Sequence, residues 1–72
     1  MSDDLADSAA SLERLAEELD LAARHARIAA GHFREREVPR GCAHVLAAEG
    51  HLCVARTALD GIAVTHARHA VP

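Results

Sequence analysis

A chain of 72 residues has room for one domain, and a domain of that size buries only a limited fraction of its surface when it folds alone. Half of its residues are apolar, but alanine is the commonest of them, Phe33 is the sole aromatic and Trp and Tyr are absent, so close helix approach has to replace large hydrophobic anchors. The formal charge of −3 with six neutral histidines offers no footprint for nucleic acid or an anionic membrane, and no stretch approaches the ~20 apolar residues of a membrane span, so a cytoplasmic location is expected.

In chain order, Ser2 followed by Asp3 and Asp4 reads as a helix start, a capping hydroxyl with carboxylates in the first turn. The spacing predicts helix 1 over about 3–37. Its apolar residues are heptad-like: Leu5, Leu12, Leu19, Ala26 and Phe33 on an a line, Leu15, Ala22 and Ala29 on d, and Ala9, Ala16, Ala23 and Ala30 on e. Glu18, His25 and His32 follow one another on g, beside Leu21 and Ile28 on c. Polar groups in that apolar arc are expected to be partly buried.

Val38-Pro39 breaks the pattern, because the residue before proline is biased away from helical dihedrals while Pro39 suits the start of a new helix. A turn is therefore placed at 38–41, with Gly41 adding freedom; a single long helix kinked at Pro39 is the competing arrangement. Helix 2 covers about 39–70, with Val45, Leu52 and Leu59 on a, Ala48, Ala55 and Ile62 on d, and His44 and His51 on g. One hairpin cannot cover arcs this wide. The fold class expected is all-α, an antiparallel helical hairpin spanning 1–72 that dimerises into a four-helix bundle, as a homodimer or higher oligomer.

The histidines carry the one distinctive pattern. His25 and His51 are equidistant from Val38, as are His32 and His44, so folding back at that point pairs them in two layers. Facing imidazoles inside a bundle are candidate ligands for zinc, iron or copper, and the layers lie ~10.5 Å apart along the helix, too far to share one ion. Glu18 of a second copy would complete two imidazoles and a carboxylate at the His25/His51 layer. His66 and His69 put two more imidazoles on one face near the chain end, opposite Asp7. Cys42 and Cys53, ~16 Å apart by helical rise, cannot bridge each other and are expected to be thiols.

Cys42-Ala43-x-Val45-Leu46 followed by His66 and His69 is similar to the second helix of the all-helical copper-, nickel- and formaldehyde-sensing repressors. That resemblance implies a dimeric bundle acting as a metal-responsive regulator. The cysteine-to-histidine interval differs by about one residue, and the Ile-Glu-Gly-Gln-Val stretch of the family's first helix is missing. Three functions thus stand beside each other: a metal-binding bundle for storage, delivery or sensing; a metal-free dimerisation or adaptor module for a larger protein partner; and the repressor-like regulator. No nucleophile-base set supports catalysis.

Overall fold

The computed structural model describes residues 3–71, which form a hairpin of two helices, α1 (Asp4–Arg34) and α2 (Val38–His69). The capping role expected of Ser2 falls outside the described residues. Asp3 caps α1: its carboxylate accepts from the Leu5 and Ala6 amides at 3.0 and 3.2 Å. At the far end of the hairpin, His69 Nε2 meets Asp4 Oδ2 at 2.9 Å and ties the last turn of α2 to the first turn of α1.

The reversal comes earlier than the proline suggests, over residues 35–37. The Glu37 amide donates to the His32 carbonyl at 2.8 Å and the Arg36 amide to the Phe33 carbonyl at 3.0 Å, the paired bonds of a Schellman motif. Arg36 supplies the left-handed residue that this motif requires, with φ 61°. Val38 and Pro39 then lie inside the first turn of α2, where a missing proline N–H costs nothing. A kinked single helix is thereby ruled out, and helix 1 ends three residues short of the expected 37.

The helices meet through their d lines. The four buried residues among those described, Ala22, Ala29, Gly41 and Ala55, lie on d, and the histidines and glutamates of the g lines are half-buried beside them. The a lines stay open. Small d residues allow the two backbones to approach, whereas the leucines of a would hold them apart. Gly41 acts through this packing and not through backbone freedom, since the Phe33 ring would stand 2.8 Å from a Cβ placed there.

The hairpin measures 53 × 22 × 13 Å. A helix with its side chains is about 10–12 Å across, so the molecule is one helix thick. No side chain of any size is fully buried among the described residues, and Leu19, Leu52 and Leu59 each keep more than two fifths of their surface in water.

Because a non-glycine residue pays about 1–2 kcal/mol to hold the left-handed conformation, Arg36→Gly should stabilise the hairpin by about 1 kcal/mol. Chemical denaturation checks this; an unchanged or lowered midpoint would mean that the Schellman turn is not the one formed.

Candidate functional site: a column of imidazoles between two glutamates

The g lines of the two helices interleave. Glu18, His25 and His32 of α1 alternate with His51 and His44 of α2 and with Glu37, which precedes α2, giving the order Glu18, His51, His25, His44, His32, Glu37. His25 and His32 each sit between two neighbours seven residues apart on the other strand of the hairpin, His44 and His51 for the first and Glu37 and His44 for the second. That follows from the early turn: moving the reversal to 35–37 shifts the register by half a heptad from one centred on Val38.

Hydrogen bonds recur along it while every pair of neighbouring rings stacks, the bonded His25 and His44 included, with centroids 5.2 Å apart. His51 Nδ1 donates to Glu18 Oε2 at 2.6 Å, and the Nδ1 atoms of His25 and His44 stand 2.9 Å apart in a hydrogen bond. Ring stacks join these bonded units, His25 on His51 with centroids 5.5 Å apart and His32 on His44 at 5.4 Å, within the range of offset aromatic pairs. At the turn, His32 Nδ1 lies 3.6 Å from Glu37 Oε2, and the same carboxylate oxygen accepts from Arg40 at 2.8 Å. A carboxylate that only accepts thus closes each end.

The His25–His44 bond constrains chemistry as well as position. Two Nδ1 atoms can share a hydrogen only if one ring carries its proton there and the other presents a lone pair. Opposite tautomers are therefore built into adjacent rings. Glu18 has 15% of its side-chain surface exposed, and beyond His51 its cationic neighbour is Arg14 at 4.0 Å.

All five residues expected at a central site, His25, His51, Glu18, His32 and His44, come together in this one column. The layers expected from the mirror about Val38 appear as stacks, while the hydrogen bonds run along the other diagonal. Glu18 reaches His51 within its own chain, without help from a second copy. Among the described residues no three His, Cys, Asp or Glu side chains converge as a group able to hold a metal ion. Glu37 is the member that sequence reasoning missed. It lies seven residues before His44, on the same line, but was counted in helix 1.

The remaining candidates are scattered. His69 bonds Asp4 in place of the expected Asp7, and His66 is exposed. Cys42 and Cys53 are free and exposed, with Cys53 Sγ 3.8 Å from the Glu49 carboxylate. Cys42 near the turn and His66 and His69 near the open end, the residues that carry the repressor resemblance, are separated along α2 by ~36 Å of helical rise, so one hairpin does not unite them.

Removing His51 leaves the half-buried Glu18 carboxylate without its closest donor, so His51→Ala should cost about 1–3 kcal/mol, against less than about 0.5 for the exposed His66→Ala. Equal effects in urea denaturation would contradict the column. Nitrogen-detected NMR at neutral pH should also find one of His25 and His44 protonated at Nδ1 and the other not; two rings both protonated only at Nε2 would remove the central bond.

Comparison with protein-family models, with curated proteins and with solved structures finds no match to this chain, so the functional argument rests on its own geometry.

Proposed function

We propose that this chain is a self-association module, two hairpins pairing face to face into a four-helix bundle that serves as a dimerisation or adaptor unit for a larger protein assembly. The observation that supports it is the open a face. Eight of the thirteen exposed large hydrophobic residues among the described residues lie on a lines: Leu5, Leu12, Leu19 and Phe33 from α1, and Val38, Val45, Leu52 and Leu59 from α2. Between the helices on this face runs an apolar groove of about 590 Å³ that no histidine lines.

The magnitudes point the same way. A folded monomer of 7.6 kDa ordinarily exposes about 4,300 Å², whereas this hairpin exposes 5626 Å². The excess, roughly 1,300 Å², exceeds the ~800 Å² that each partner of a standard interface buries. Stable domains stack two layers around a core. A second hairpin is the economical second layer.

A second reading draws on the His25–His44 pair. Two nitrogens 2.9 Å apart subtend about 90° at a zinc, iron or copper ion held by bonds of about 2.0–2.1 Å, so an ion replacing the shared proton would find two ligands in place. Water or a further side chain would have to complete its shell. No helix among the described residues is long and apolar enough to cross a membrane, and two unpaired thiols suit a reducing, cytoplasmic compartment.

Sedimentation equilibrium should return twice the 7.6 kDa chain mass, and Leu19→Ala should weaken association by about 2–5 kcal/mol as a buried leucine would. A folded species of single-chain mass would overturn the module reading. For the metal reading, protein purified without an affinity tag should carry roughly one equivalent that His25→Ala and His44→Ala each remove together with its thermal stabilisation. Metal-free protein whose melting does not respond to added zinc would exclude it for that ion.

A further inference from the structure

Resting on the self-association reading, we infer that the second copy packs on the groove face with its turn at the opposite end, about a two-fold axis that crosses α2 between Leu52 and Cys53. The first support is a palindrome of shape and charge. Along α2, reflection about that point exchanges Leu46 with Leu59, Glu49 with Arg56 and Leu52 with Cys53, so apolar positions fall on apolar ones and each charge falls on its opposite. An isologous interface requires such self-complementarity. Antiparallel α2 helices would set each Glu49 against the other copy's Arg56, with Leu46, exposed at 73%, against its Leu59.

α1 supplies an independent support at the same height. Its alanine line, Ala9, Ala16, Ala23 and Ala30, is symmetric about a point between Leu19 and Asp20. The His51 ring contacts both Glu18 and His25, which sets residue 51 level with about residue 21 or 22 of α1. A step and a half further along α2 therefore reaches about residue 20 of α1. One axis serves both helices.

The charge distribution along α1 also fits this arrangement. Within α1, residues 4–20 hold six carboxylates against one arginine, and residues 21–34 three arginines and no carboxylate. Opposite-end packing lays the acidic half of each α1 along the basic half of the other. Same-end packing would place α2 against the other copy's α1 and forgo this pairing of α1 halves.

The test mixes two charge-reversed variants. Glu49→Arg and Arg56→Glu each place like charges in both symmetry-related pairs, so each alone should dimerise at least about tenfold more weakly than wild type. Mixed together, they restore two opposite-charge pairs, and native mass spectrometry should find the heterodimer in clear excess over the statistical half. Arg56 also pairs with Asp60 in its own helix at 3.5 Å, but that lesion persists in the mixture, so recovery reports only the contact between copies. In a Cys42→Ser background, a short bis-maleimide should join Cys53 to Cys53. A wild-type dimer whose variants mix statistically and whose Cys53 thiols do not cross-link would overturn this orientation and leave self-association standing; a wild-type monomer would overturn both.

Discussion

The structure depends on how little its helices have to bury against each other. Alanine and glycine on the d lines let α1 and α2 approach closely, and the buried set, Ala22, Ala29, Gly41 and Ala55, shows how far that approach goes. Close approach brings few large groups out of water, however, and apolar burial scales with area at about 25 cal/mol per Å². Ordering each residue costs about 1–2 kcal/mol of backbone entropy. A seam of methyl groups does not offset that over sixty residues of helix, so the leucines left outside the seam become the main reserve of stabilisation.

The same close approach creates the imidazole column. Rings from opposite helices can stack at 5.2–5.5 Å only where the backbones are near, and the g lines flank the small-residue d lines on the side away from the leucines. The hairpin is thus two-sided. One side carries an apolar groove and the other a half-buried polar ladder whose hydrogen bonds are satisfied within the chain, with no buried side-chain N or O atom left unpartnered among the described residues. A ladder of this kind favours one register of the hairpin, because a slip by one residue would take every ring off its neighbour.

Much of this was legible in the residues themselves. Two long helices follow from heptad spacing, the reversal from the break at Val38-Pro39, the meeting of His25, His32, His44 and His51 from their even placement about it, and the acidic start of α1 from Asp3 and Asp4. The turn was misplaced because Pro39 is a strong and visible signal, whereas the actual stop is made by backbone bonds around Arg36, a residue with no special preference for a left-handed conformation. That error hid Glu37 and the hydrogen bond between His25 and His44, which a mirror about Val38 does not pair. An Ala-rich seam is legible in the heptads, but with a, d and e all apolar the spacing does not say which line turns inward; in the hairpin the small residues of d take the inside and the leucines of a stay outside.

The central claim is that the hairpin is half of a stable fold. Far-UV circular dichroism followed through thermal unfolding over a hundredfold range of protein concentration tests it most directly, since a fold completed by a second copy is stabilised by mass action. The account predicts a melting temperature that climbs steadily with concentration, with helix lost on dilution. A melting temperature independent of concentration, in a fully helical and dilute sample, would contradict it.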